Sequence, residues 1–373
     1  MAFKIAFIGG GINSAAGRAH KISAEMDGLF KLSAGSFSHD KEQNNASAAN
    51  YGIEPNRTYA NYMDLIKFER KDIDLFIILT PTDQHYSQIL KLAPMKIPIV
   101  CEKTITSNAQ EALKLKQVMG PEKETFFRSI SNYTGYPMVE ELKGIVSSGT
   151  LGDLCHIHCE MPQETYLTVD LEGKEIKPQF WRLKDDRKVP TISLDLGIHI
   201  FNLIDYVTGE HPLKVTSTAN NHGNFKGIVD SINCICKYSN NLDVNISYGK
   251  TSLGNRNGLM IRIYGKKGSL KWKQSQPEII KYSNNQGYTR ILERGAEGLL
   301  KANHSAYNRF KAGHPAGFIE AFANYYQKID RDLKAFKEGR IEYNAIGIDK
   351  CIEGLEFLEA IHKSSQEERW LTL

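Results

Sequence analysis

FKIAFIGGGINSAAGRAH, residues 3 to 20, is the stretch on which the fold turns. A short apolar run, Phe3 to Ile8, stops at three glycines, and polar residues follow. Gly9 and Gly11 match the first two glycines of a G-x-G-x-x-G pattern, with Ser14 at the third position. In that pattern the first glycine permits a tight turn, and the second lets a pyrophosphate approach the backbone. The small third residue lets a helix pack on the strand, with the helix N-terminus facing the phosphates. Ile12 and Asn13 lie inside the same loop and share the expected dinucleotide contact. Glycines also occur in ordinary turns, so the pattern gains its force from its position after a first strand.

The surrounding residues supply that position. Phe30 to Phe37, Ile73 to Leu79, Ile97 to Cys101 and Thr125 to Phe127 read as further strands, with helix-like stretches such as Gln84 to Leu92 and Asn108 to Val118 between them. Ile73 to Leu79 is almost wholly apolar, as a parallel strand buried on both faces should be. Strands alternating with helices imply a doubly wound parallel sheet, a Rossmann-type α/β domain over residues 1–128. After that the pattern changes. Pro137 to Ser147 reads as a helix. Strand-like runs then dominate from Cys155 to Lys273, separated by turns such as Asn240-Asn241 and Lys267-Gly268. Helices return at 317–339 and 349–364. Residues 129–373 therefore read as an α+β domain with an open, mainly antiparallel sheet.

In open α/β sheets ligands bind beyond the carboxyl ends of the strands. Three such ends carry informative residues. At the second, Ser36, Ser38, His39 and Lys41 surround Phe37, with Asp40 close by, and the sequence is compatible with NAD or NADP. At the third, Thr80, Pro81 and His85 follow Leu79. At the fourth, Glu102 and Lys103 follow Cys101 directly. Solvated strand ends would explain a random pair of charges. On the cofactor edge, a lysine can donate a hydrogen bond to a reacting oxygen and help move its proton.

SLDLGIHIFNLIDYVTG, residues 193 to 209, is apolar except for a stripe. Asp195, His199 and Asn202 stand at i, i+4 and i+7, one face of a helix. Buried polar groups must be hydrogen-bonded, and an aspartate beside a histidine favours the protonated ring, which suits a proton acceptor. A core histidine satisfied within its own helix is the plainer alternative.

Bulk properties bound the rest. At 373 residues the chain is long enough for two domains. A formal charge of +4, spread along the chain, argues against nucleic acid as a partner. No apolar run approaches the ~20 residues that span a bilayer, so no membrane is expected. Six cysteines, mostly in strand-like runs, suit a reducing, cytoplasmic setting. CHIHC, residues 155 to 159, alternates faces in a strand and lacks a second ligand pair at zinc-like spacing, so no metal is expected. The lysines of residues 265–273 read as solvated, and the basic stretch from Arg290 to His314 as a surface loop. An open sheet face needs covering, so a homodimer or homotetramer is expected.

Taken together, GGGINSAAG, TPTDQH, CEKT, NYTGYP, WR at 181–182, DLGIH and GHPAGFIEAFANYY resemble the glucose–fructose oxidoreductase/inositol dehydrogenase family (Gfo/Idh/MocA) over nearly the whole chain. The resemblance implies NAD(P)-dependent hydride transfer at a hydroxyl-bearing carbon of a sugar, cyclitol or nucleotide sugar. It implies Lys103 as the lysine of a Glu-Lys-Pro motif, and Asp195 and His199 as the acid/base pair. It also points to Tyr133, Arg182, Asn202 and His314 as substrate contacts, with Tyr136 and Trp181 equally suited to the core. Thr104 stands where the family has proline, Asn202 where many members have Asp, and DDRKVPTIS lacks the usual glycine cluster. Two other functions fit the same sequence: a redox-assisted glycosidase, and a non-catalytic cofactor-binding sensor.

Overall fold

Phe3–Gly9 (β1) lies between two parallel neighbours, Phe30–Ser36 (β2) and Leu75–Leu79 (β3). Ile5, Ala6 and Phe7 are fully buried, as a central strand covered on both faces requires. Ile99–Cys101 (β4) and Phe127–Ser129 (β5) complete a five-stranded parallel sheet of order 2-1-3-4-5. The computed structural model describes residues 2–14, 16–183 and 188–373. Helices Gly17–Glu25 (α1), Lys41–Tyr51 (α2), Tyr62–Glu69 (α3), Thr82–Leu92 (α4) and Ala109–Met119 (α5) alternate with the strands. Polar caps start three of them: Asp40, Asn61 and Asn108 each accept the amide three residues on. The strand order reverses between β1 and β3, and a doubly wound sheet opens its ligand crevice at such a switch point.

The second unit is built on a nine-stranded mixed sheet. It opens with Pro137–Ser147 (α6), which carries proline in its first turn. Leu154–Pro162 (β6) follows, then a π-helical turn at Ser193–Gly197 running straight into Ile198–Thr208 (α7). Next come Pro212–Asn220 (β7), Ser231–Tyr238 (β8), Leu242–Gly249 (β9), Met260–Gly265 (β10) and Gly268–Lys273 (β11). Gln276–Asn284 (β12) and Thr289–Glu293 (β13) pair as a hairpin. Phe318–Lys337 (α8), Ile348–Glu367 (α9) and the short Leu371–Thr372 (β14) end the chain. The sheet order is 13-12-11-10-6-9-8-7-14, and only β6 and β9 run parallel. One face is apolar: along β8, Ile232, Cys234, Cys236 and Tyr238 are buried while Asn233, Ile235 and Lys237 are exposed. This is the α/β plus α+β architecture expected from the sequence, with β12 and β13 added. Lys281, Ser283, Asn284 and Arg290 interrupt the apolar pattern of those two strands, which hides them from a sequence reading.

The units are not two halves of the chain. Residues through Gly135 cluster with Phe318–Ile352, and Tyr136–Gly317 with Glu353–Leu373. A buried ion pair joins the first unit's two segments: Arg128 Nε on β5 lies 2.6 Å from Asp332 Oδ2 on α8. Asp332 also accepts the backbone N–H of Asn344 and Ala345, so both carboxylate oxygens are engaged.

Candidate active site

Glycine is required at the end of β1 for steric reasons. Gly9 has φ of +81°, and a Cβ there would lie 2.8 Å from Thr80 Cγ2. A Cβ on Gly11 would meet Ser47 Oγ at 2.9 Å and Phe37 O at 3.1 Å. Helix α2 fastens the loop, with Ser47 Oγ accepting from Ile12 N at 3.1 Å and Tyr51 Oη donating to Gly10 O at 2.9 Å. Asn13 is exposed beside it. The third position differs from the sequence expectation. Gly17, not Ser14, is where helix meets strand, because a Cβ on Gly17 would sit 1.9 Å from Gly10 O. Ser14 Oγ instead accepts from the amides of Ala16 and Gly17 at the start of α1. The first turn of α1 carries no acid. A cradle without side chains at an acid-free helix N-terminus fits the pyrophosphate of a dinucleotide.

The tip of β2 is occupied with its own structure. Phe37 N and Ser38 N donate to Asn44 Oδ1, and Ser38 Oγ accepts from Asp40 N. Asp40 caps α2 through Gln43 N at 2.8 Å. Ser36 is buried.

The loops after β3 and β4 are joined by one side chain. His85 is buried, with Nε2 2.7 Å from Thr80 O and Nδ1 2.8 Å from Thr104 O. Burial lowers its basicity, against the two carbonyls, which favour the cation. Thr80 Oγ1 donates to Gln88 at 2.7 Å, and Pro81 stands exposed ahead of α4. His85 is thus a brace between two loops. Glu102 N donates to Ile78 O, so the chain leaves β4 still paired to β3. The Lys103–Thr104 peptide is cis. Glu102 turns inward: Oε1 lies 2.7 Å from His20 Nε2, and Oε2 accepts from Lys103 N at 2.9 Å. Burial pushes this carboxyl up, but the His20 bond and nearby positive charge outweigh it and leave it below its ordinary value.

In the second unit the polar stripe begins in the π-helical turn. Asp195 lies in that turn, with His199 and Asn202 buried on α7. Gly197 lets the helix approach closely, since a Cβ would meet Leu358 at 2.9 Å and Tyr248 at 3.0 Å. Asp195 Oδ2 pairs with two cations, Arg182 Nη1 and Lys250 Nζ, the latter at 2.6 Å. Arg182 lies over the ring of Trp181, 4.4 Å from its centre. Lys250, at the end of β9, is 3% exposed, with its ammonium 5.3 Å from the ring centre of Tyr166. Sequence reasoning names neither Lys250 nor Tyr166. Their only signal is a lysine directly after the apolar alternation of Leu242 to Gly249.

The other expected residues have these surroundings. Tyr136 is core: buried, its hydroxyl accepting from Gln274 Nε2 and its ring against Trp272. Tyr133 is buried in the first unit beside Phe318. His314 is exposed, ring against Phe310, and its carbonyl accepts from Arg294. Arg294, within the basic stretch, is buried on Glu278 and Asn308 and organises that loop internally. His156 and His158 share the open face of β6 while Cys159 faces the core. Of the stretch 185–193, residues 185–187 lie outside the described residues, as does Lys184 just before them.

Two family descriptions match this chain. Residues 3–127 match an oxidoreductase family with an NAD-binding Rossmann fold, and residues 139–271 a GFO/IDH/MocA C-terminal domain. The chain belongs to the GFO/IDH/MocA oxidoreductase family. Its Rossmann domain is an NAD(P)-binding domain. An uncharacterized oxidoreductase, YfiI, of Bacillus subtilis is 26% identical over 98% of this chain and 95% of its own length. An inositol 2-dehydrogenase of Rhizobium meliloti is 25% identical over 59% of this chain and 63% of its own. An inositol dehydrogenase homolog of Azotobacter vinelandii, solved with NADH and myo-inositol, shares the fold: TM-score 0.88, 21% identity, covering 100% of this chain and 98% of that one. Among the described residues, no helix is long and apolar enough to cross a membrane.

Proposed function

We propose that this protein is an NAD(P)-dependent dehydrogenase acting on a hydroxyl-bearing carbon of a sugar, cyclitol or nucleotide sugar. The observation that carries this reading is that His199, buried, and Asp195, half-buried, share one continuous helical stretch, with a lysine and an arginine holding the carboxylate. A protein that only senses a cofactor has no use for such an arrangement. The inositol dehydrogenase relative supports the substrate class.

The nicotinamide, when bound, exchanges hydride with the substrate carbon. His199 takes the proton of the substrate hydroxyl in oxidation and returns it in reduction. Asp195, four residues before His199 on the same helical stretch and paired with Arg182 and Lys250, favours the imidazolium so formed. Lys103 hydrogen-bonds the reacting oxygen. Arg182, Asn202, Tyr133 and His314 remain candidates for holding the other hydroxyls. Residues 1–128 form the cofactor domain in this proposal, and residues 129–373 serve substrate binding and self-association as a homodimer or homotetramer.

The test is formation of reduced nicotinamide from NAD and from NADP across a panel of sugars, cyclitols and nucleotide sugars. Signal with one cofactor and one compound class is expected. Cleavage of a glycoside with no net change in nicotinamide would replace this reading with the redox-assisted glycosidase.

A further inference from the structure

Behind Lys103 lies a buried polar chain that the proposed chemistry leaves unused. His20, on α1, is 0% exposed. Its Nδ1 lies 2.7 Å from Tyr326 Oη on α8, and its Nε2 lies 2.7 Å from Glu102 Oε1. Glu102 Oε2 then accepts from the amide of Lys103 at 2.9 Å. Burial, and next the charge of Glu102, raise the Tyr326 phenol well above its ordinary value, so it keeps its proton. A carboxylate only accepts, so Nε2 carries a proton and donates to Glu102. Both ring nitrogens and both carboxylate oxygens are satisfied. His20 has no proton or lone pair left for a substrate, and a fully satisfied buried network is rigid.

A core histidine that merely needs partners would fit this burial as well. What sets His20 apart is where its bonds lead. One end of the chain terminates on the main chain of Lys103 itself. The helix that carries His20 begins at Gly17, packed on the carbonyl of Gly10 in the cofactor loop. The element that shapes the phosphate cradle thus also fixes the backbone from which Lys103 projects.

We propose that His20 is a positioning residue for Lys103, acting through Glu102. The inference rests on the role assigned to Lys103 above. The groups bearing on Glu102 are His20 from α1, Tyr326 from α8, His85 from α4, and Cys101 and Lys103 from its own segment. Loss of the His20 donor removes one of the two hydrogen bonds that hold the Glu102 carboxylate.

A double-mutant cycle tests this. His20→Leu and Lys103→Ala are made singly and together, with His20→Gln as the conservative variant whose amide can still donate to Glu102. In the wild-type background His20→Leu is expected to lower kcat about ten-fold with little change in KM for the cofactor, and His20→Gln to recover part of it. In the Lys103→Ala background the same change is expected to cost less than about two-fold. Independent, multiplying losses would overturn the proposal, as would a His20→Gln variant that recovers nothing. If Lys103→Ala itself leaves turnover intact, the role of Lys103 fails instead. Should no panel compound turn over, amide hydrogen exchange at Lys103, whose N–H donates to Glu102, is read instead: faster exchange in His20→Leu than in wild type is expected, and an unchanged rate overturns the proposal. If His20→Leu does not fold, Tyr326→Phe, which removes the hydrogen-bond partner of Nδ1, takes its place in the cycle.

Discussion

Glu102 and Asp195 are two half-buried carboxylates held in opposite ways. Glu102, in the first unit, faces a histidine and a backbone amide. Asp195, in the second, faces an arginine and a lysine. The first arrangement is directional: two N–H donors at fixed angles set where a loop lies. The second is electrostatic: two cations hold a carboxylate in place. In the proposed chemistry, a loop that presents a lysine needs geometry, while an acid that supports a protonated histidine needs charge. The contrast predicts different responses to the same chemical change, removal of one negative charge.

The largest effect is expected at Asp195. Asp195→Asn removes the carboxylate that both cations face, and losing one partner of a buried ion pair costs about 3–5 kcal/mol. Lys250→Met comes next, at about 2 kcal/mol, because Arg182 still faces the carboxylate. Glu102→Gln is expected to cost about 1 kcal/mol, since a flipped imidazole tautomer lets amide, ring and Tyr326 all keep a partner. Denaturant unfolding of the three variants checks the order. Equal losses for Asp195→Asn and Glu102→Gln would erase the distinction.

The smallest effect is a pH dependence. His85 has a folded-state pKa below its unfolded value of about 6.5, so the native state holds fewer protons than the unfolded chain. Its contribution is complete above that value and is lost as pH falls below it. Glu102 is also lowered, and its contribution is lost only further into acid, below the usual carboxylate value of about 4.3. Melting temperature should therefore fall between about pH 7 and pH 5.5, and fall less in His85→Gln. An unchanged slope in that variant would remove His85 as the cause.

Much of the first unit is legible in the sequence because its information is local. A strand, a glycine turn and a polar strand end are contiguous along the chain, so the residue pattern alone brings Gly9, Thr80, His85 and Glu102 to one sheet edge. The role of Gly17 is not legible, because the helix starts three residues past Ser14 and the pattern does not report where it begins. The second unit is legible only where one helix carries the pattern. Asp195 and His199 share a segment, but Arg182 and Lys250 reach Asp195 across 13 and 55 residues, and no periodicity reports such pairing. The return of α8 to the first unit, through Arg128 and Asp332 some 204 residues apart, is hidden for the same reason. His20 and Tyr326 are visible as residues and silent as partners.

The central claim, that one unit serves the cofactor and the other the proton, is tested most directly by comparing NADH affinity with turnover in His199→Ala. The account predicts NADH binding within about two-fold of wild type and a loss of kcat of about 10²–10⁴-fold, the span of general acid–base catalysis. Turnover at the wild-type rate in a folded, cofactor-binding His199→Ala protein would contradict it.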